Sequence, residues 1–244
     1  MTTLFDYQKQ TQRLLREEKQ ELINPQDLID YINIARGQIA GEAECIRAIG
    51  TVSTVISQNT YAFSAINFGV SATTGIQGAI NIRRITYALA QGYGWIDTRP
   101  WEWFDYYHLN TPVPINGPPS VWSQYGQGAA SSVESGSFYL GPPPDNAYTL
   151  YCDCSCFPIN LVNNTTVEAI PYLWTDAVPF FAAYYAFMNL MQDDKAERMY
   201  SYYTRFVQRA RRSANPSVGR SGYEQADDLT LPNKLGLSPK QGAA

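Results

Sequence analysis

Apolar side chains recur at helical spacing at both ends of the chain and at strand spacing between them. Over residues 2–22, Leu4, Thr11, Leu15 and Leu22 fall on one side with Leu14 beside them, while Arg13, Arg16, Glu17 and Lys19 can face water; a first helix is predicted there. Asn24-Pro25-Gln26-Asp27 starts a second: a capping Asn, a proline at the first helical position, where its missing N–H is not needed, and an acid in the first turn. Leu28, Ile32, Ala35, Ile39 and Ile46 then form one apolar stripe, and Gly50 stands where that helix should stop.

From residue 51 the period changes. Thr51–Ser57 is β-branched, Gln58-Asn59 reads as a turn, and Tyr61–Ser64 alternates. Residues 79–89 predict another strand, with Ile80, Ile82, Arg84 and Thr86 on one side. Residues 92–135, rich in Gly, Pro, Ser, Trp and Tyr, predict at most a short helix over Pro100–Leu109. Ser137–Leu140 and Ala147–Phe157 flank Pro142-Pro143-Pro144-Asp145-Asn146 and predict a β-hairpin.

Helical spacing returns near residue 173. Leu173, Ala177, Phe180, Phe181, Tyr184, Phe187, Met188 and Met191 make a helix apolar on most sides, with Pro179 tolerable only in a first turn or at a kink. A last helix, about Asp194 to Ser213, turns Ala196, Met199, Tyr200, Tyr203, Phe206, Val207 and Ala210 inward, and Asn215-Pro216 ends it. This order predicts an α+β fold, mainly helical. Residues 1–50 and 163–214 supply four helices that close one bundle, residues 51–162 an inserted β-rich subdomain with long loops and a small antiparallel sheet or hairpin, and residues 215–244 an extended C-terminal arm.

Composition narrows the function. The 244 residues are 45% hydrophobic, enough for one sizeable core, and a net charge of -4 excludes a general nucleic-acid binder, so any DNA contact needs a local basic face. No run of apolar residues is long enough to span a bilayer, and the charged N-terminal segment lacks a signal-peptide core, so a cytoplasmic start and reduced cysteines are expected. Eighteen tyrosines and five tryptophans suit a protein rich in contact surface.

Chemistry is sparse. His108 is the one histidine, in an aromatic segment, and reads as structural. Cys152, Cys154 and Cys156 alternate, but on a strand same-face residues lie about 6.5–7 Å apart, too far for sulfurs sharing one zinc; they read as small buried apolar groups, as does Cys45. No phosphate-binding loop or paired carboxylates stand out, so no catalytic residue, metal or cofactor is expected. Arg198, Arg205, Arg209 and Arg212 recur along one side of the last helix, with Arg211 and Arg220 beside them. This basic stripe reads either as a solvated face favoured by the helix dipole or as a contact for an acidic surface or phosphates.

Arg13-Leu14-Leu15-Arg16, then Asp27-Leu28 and Tyr31-Ile32-Asn33-Ile34-Ala35-Arg36, resemble the N-terminal signature of phage head-to-tail adaptor (connector) proteins. Phe138–Leu150, with its Pro142-Pro143-Pro144-Asp145 loop, is similar to that family's hairpin, and an aromatic helix leading to an Arg-rich terminal helix fits too. The resemblance implies a structural virion protein and no enzyme: a twelve-fold ring of identical subunits in the neck, assembled in the host cytoplasm. The ring would sit beneath the portal protein, meet tail or nozzle proteins on its other side, surround the channel through which DNA passes, and touch no membrane. It implies a portal-binding arm over residues 215–244, with Tyr223, Leu229, Leu231, Leu235 and Leu237 as anchors. The resemblance covers the two chain ends and one hairpin; residues 90–135 lie outside those matched motifs and would dock something particular, such as a fibre or nozzle. A head-closure or stopper protein, a cysteine hydrolase using His108, and a plain cytoplasmic binding module are the other classes.

Overall fold

The computed structural model describes residues 2–16, 23–89, 92–109, 115–126 and 136–214. Helix α1 (Leu4–Leu15) is set by a reciprocal cap: the Thr3 hydroxyl accepts from the Asp6 N–H while the Asp6 carboxylate accepts from the Thr3 N–H. It buries Leu4, Tyr7 and Thr11. Helix α2 (Pro25–Ala43) begins where the sequence predicts, with the Asn24 side chain accepting from the Gln26 N–H and Pro25 at its first position.

Its end is different. Glu44 turns left-handed at φ 46° and strand β1 (Arg47–Ser53) follows at once, so Ile46 lies beyond the helix and Gly50 lies inside a strand. The glycine is there because Ile66 and Phe68 press on it. A Cβ at Gly50 would stand 2.3 Å from Ile66 Cγ2 and 2.8 Å from Phe68 Cε1. It marks close packing, not a helix stop.

The remaining elements are β2 (Thr60–Ala62), α3 (Ser71–Thr74), β3 (Ile76–Leu89), β4 (Gly92–Thr98), α4 (Trp101–Phe104) with a π turn over Asp105–Leu109, β5 (Val121–Tyr125), β6 (Ser137–Gly141), β7 (Thr149–Pro158), α5 (Tyr172–Thr175), α6 (Val178–Asn189) and α7 (Asp193–Ala214). The strands form one sheet in the order β1-β7-β3-β4-β5-β6-β2, antiparallel except for β4 against β5.

That order forces a curl. β1 and β2 occupy opposite edges, yet only residues 54–59 join them. Laid flat, the edges would stand about 29 Å apart at ~4.8 Å per strand spacing, beyond the ~25 Å that this linker can reach fully extended. Bulges supply the bend: the β3–β7 register shifts between Ile76 and Gly78, Ala79 and Asn81, and Ile82 and Arg84. They also move the inward phase, so Ala79, Ile82 and Ile85 are buried instead of the Ile80-Ile82-Arg84-Thr86 face that strict alternation predicts. The curled edges are tied where Thr51 and Asn67 exchange backbone hydrogen bonds of 3.0 and 2.9 Å.

Two predicted features are therefore corrected. Ser137–Leu140 and Ala147–Phe157 make no hairpin: β6 pairs with β5 and β2, while β7 pairs with β1 and β3 on the far side of the sheet. The three prolines between them have no N–H to give a ladder; Pro143 and Pro144 instead offer carbonyls to the Gly117 and Ser57 N–H groups. Nor do the chain ends close a four-helix bundle carrying a small inserted sheet. The fold is mixed α/β around the seven-stranded sheet, and α1, α2 and α7 gather on α6 while α2 also lies on β7. A sheet of this size buries one face, and α2 covers it where Leu150, Cys152, Cys154 and Cys156 point inward. In the helical layer Pro179 falls in the first turn of α6, where it is tolerated; Phe180 stacks on Phe206 of α7 at 4.9 Å between ring centres, and Phe181 meets Tyr203 at a tilt at 4.7 Å.

Two glycines should respond oppositely. Gly50→Val should destabilise the fold by about 1–3 kcal/mol through overpacking. Gly37→Ala, within α2 and with nothing within 4 Å of the added Cβ, should stabilise it by about 0.5–1 kcal/mol. Urea unfolding midpoints of the two variants read both.

Candidate functional site

Within the motif that gives the sequence its signature, Leu28, Ile32, Ala35 and Arg36 are buried packing residues, while Arg13, Arg16, Asp27 and Ile34 are exposed. Arg36 on α2 is fully buried, and its guanidinium forks onto Glu168, Nε to Oε2 at 2.9 Å and Nη2 to Oε1 at 2.8 Å. Nη1 donates to the Ile159 carbonyl at 2.7 Å and to Asn33 Oδ1 at 3.1 Å. Asn33 in turn pairs with the Leu161 backbone in both directions, accepting its N–H at 2.8 Å and donating to its carbonyl at 3.1 Å. The Ile170 N–H gives Glu168 a further bond at 2.9 Å. One side-chain cluster thus fastens α2 to the segment leading from β7 to α5. Tyr31, on the same helix, accepts from the Asn189 amide and lies over Tyr185, which adds α6.

Glu168 is absent from the sequence-based candidates. Its signal was isolation, because it is the only charged residue between Asp153 and Asp176, as Arg36 is between Asp30 and Glu42. The Tyr7 hydroxyl of α1 is buried near Glu168; burial first, and then the Glu168 charge, hold its pKa far above the ordinary value.

Three of the four thiols belong to the core, while Cys45, just after α2, is only partly buried. Cys152, Cys154 and Cys156 are buried on one face of β7, and the Cys154 and Cys156 S–H groups lie 3.5 and 3.7 Å from the carbonyls two residues back. Burial pushes Cys45, Cys152 and Cys156 up to about 12, and Cys154 further in the same direction. His108 sits against Trp103 and Phe104, 5.6 and 5.0 Å between ring centres, and its ring covers Gly141. Burial lowers its pKa.

Two sets of exposed side chains stand out, one basic and one aromatic. Arg198, Arg205 and Arg209 are exposed on α7, opposite the buried Ala196, Tyr203, Val207 and Ala210. None of the three makes an ion pair among the described residues, and Arg205 lies over the Tyr202 ring at 5.9 Å. The backbone of Arg212 continues the helix, but its side chain is outside the described set. Arg211 turns back and donates to the Glu42 carbonyl. A second surface was not foreseen in its parts: Trp95 on β4, Tyr106 beyond α4 and Tyr125 on β5 are 68%, 70% and 58% exposed. Arg84 and Arg99 lie 4.7 and 5.3 Å from the centres of the Trp95 and Trp103 rings. The proposed arm anchors Tyr223, Leu229, Leu231, Leu235 and Leu237 lie outside the described residues. No helix among the described residues is long and apolar enough to cross a membrane.

The family model described as SU10 adaptor protein matches residues 2–228, from before α1 to beyond α7. No curated protein matches the chain.

Two solution measurements test the core. Arg36→Met alone should destabilise by about 3–5 kcal/mol, since it strands a buried carboxylate, while Arg36→Met with Glu168→Leu should recover most of that loss; chemical denaturation of the two variants reads the difference. The thiols predict alkaline loss of stability. Unfolded thiols ionise near 9.0 and the buried ones near 12, so the fold holds protons that the unfolded chain releases. Stability is then full below pH 9 and falls from there toward pH 12, by up to about 1.4 kcal/mol per pH unit per thiol. A denaturation midpoint that drops less steeply between pH 9 and 11 in Cys152→Ala is expected.

Proposed function

Since the chain belongs to the SU10 adaptor protein family, whose members are phage head-to-tail adaptors, we propose that it forms a ring of identical subunits, twelve-fold as the family resemblance implies, joining the portal to tail or nozzle proteins around the DNA channel. The observation that carries this reading is the reach of the family match, which runs through both terminal helices and on to residue 228, past Tyr223. Residues 215–244, with Tyr223, Leu229, Leu231, Leu235 and Leu237, are then the portal-binding arm.

A closed ring needs two different complementary faces on each subunit. The exposed arginines of α7 supply one of fixed sign: Arg198, Arg205 and Arg209, with Arg212 continuing the stripe by its spacing, face acidic groups of a neighbour, or phosphates of passing DNA. On a chain of net charge -4, DNA can slide by without general adhesion. The aromatic surface around Trp95, Tyr106 and Tyr125 is a docking face for a tail-side component, because large exposed rings favour specific contact.

Electron microscopy of the protein mixed with portal rings of the same phage tests the reading. Full-length chain should add a second coaxial ring, and a chain ending at residue 214 should not; binding by neither form would overturn it. Arg205→Ala with Arg209→Ala separates the two roles of the stripe. Weakened ring assembly with unchanged DNA binding indicates a subunit contact, and a shallower salt dependence of DNA binding indicates phosphates.

A further inference from the structure

Two helices present outer faces of opposite charge. On α2, Asp27, Asp30, Ile34, Gln38 and Gly41 are exposed opposite the buried Leu28, Ile32, Ala35 and Ile39, and their spacing of three and four makes them one stripe. The helix shows acids alone, because its single base, Arg36, is buried against Glu168. Glu42 already accepts from the Tyr203 hydroxyl at 2.7 Å. Asp27 and Asp30 make no ion pair among the described residues, and the neutral Gln26 amide reaches Asp30 only at 3.4 Å. Asp27 lies in the first turn and serves the helix dipole there, but Asp30 lies beyond it. On α7, the stretch from Arg198 to Ala214 holds five arginines and no acid. Arg198, Arg205 and Arg209 stand exposed in it, with the exposed Ser201 among them.

The acidic stripe also carries two glycines that its own subunit does not use. A glycine inside a helix weakens it relative to alanine. Yet a Cβ on Gly37 or on Gly41 would meet nothing within 4 Å among the described residues. Bare backbone on an outer face lets a second helix come close, and Ile34, 43% exposed beside it, gives such a contact an apolar centre.

We propose that the outer face of α2 packs antiparallel against the outer face of α7 of the next identical subunit. Asp27 and Asp30 then face the arginines of its last turns, and Gly37 and Gly41 admit the turn from Arg198 to Tyr202. The stripes match in length: Gly41 follows Asp27 by fourteen positions, as Arg212 follows Arg198, about 21 Å of helix in each. The reverse direction would bring the acids that open α7, Asp193 and Asp194, toward Asp27. Both stripes are exposed in their own subunit, so the pairing is between copies. The two faces differ, so it is the head-to-tail kind of contact that closes a ring. The inference rests on the ring reading and names the acids that the arginine stripe meets.

Charge reversal in the full chain tests it, with assembly followed by sedimentation alone and on portal rings. Asp27→Arg/Asp30→Arg and Arg205→Asp/Arg209→Asp should each weaken assembly by about tenfold or more. An equimolar mixture of the two variants should restore it, because every contact between unlike copies again joins opposite charges. Gly37→Leu/Gly41→Leu should assemble poorly while its urea midpoint stays at or above the wild-type value, which separates a blocked contact from a damaged fold. Normal assembly of Asp27→Arg/Asp30→Arg would overturn the pairing and leave the ring reading standing. So would a mixture that stays unassembled, or an arginine variant that loses DNA binding alone, which would give the stripe to phosphates. A wild type that remains single, both alone and with portal rings, would overturn the ring reading and the pairing together.

Discussion

A buried guanidinium must be fully partnered, and much of this structure is arranged so that Arg36 is. Its fork onto Glu168, its bond to the Ile159 carbonyl and its link through Asn33 to Leu161 use donors that would otherwise be stranded away from water. The cluster holds the stretch after β7 against α2, and that stretch leads into α5 and α6. Sheet and helical layer are thus oriented to one another by a few directional bonds, whereas the aromatic contacts between α6 and α7 fill space and tolerate small shifts.

What was legible in the sequence was local. Asn24-Pro25 marks the start of α2, the inward face of α7 follows its spacing, and Cys152, Cys154 and Cys156 share a buried face because alternate residues of a strand must. What was not legible depends on distant partners. β4 and β5 lie in a stretch of Gly, Ser, Trp and Tyr without clear alternation, and their strand character comes from pairing with β3 and β6, while the short parallel contact that joins them is one no local pattern announces. The two runs beside the proline loop are both strands, but their partners are chosen by the curl of the whole sheet. Gly50 was misread because a glycine required by an overlying side chain resembles one that ends a helix. The candidate surfaces were half legible: the arginine stripe was visible as spacing, while the aromatic face needed the fold to bring Trp95, Tyr106 and Tyr125 to the surface.

The packing signature legible in the sequence has a simple origin. Tyr31, Asn33 and Arg36 are spent on holding the subunit together. A family marked by such residues shares an architecture first, and its members differ most easily on exposed faces such as the aromatic one.

The pairing of β1 with β7 also has a consequence for synthesis. Arg47 meets Ser155 across more than a hundred intervening positions, and among the described residues β7 is the only strand partner of β1. At ~5–20 residues per second on the ribosome, β1 leaves the tunnel about 5–20 s before its partner exists. During that interval its edges are open to any other nascent strand. The guarding devices are local: a short strand with an arginine at its head, and Asn67, which arrives early enough to engage Thr51 from the other side. Subunits with β1 paired to β7 can therefore appear only after nearly two-thirds of the chain has been made.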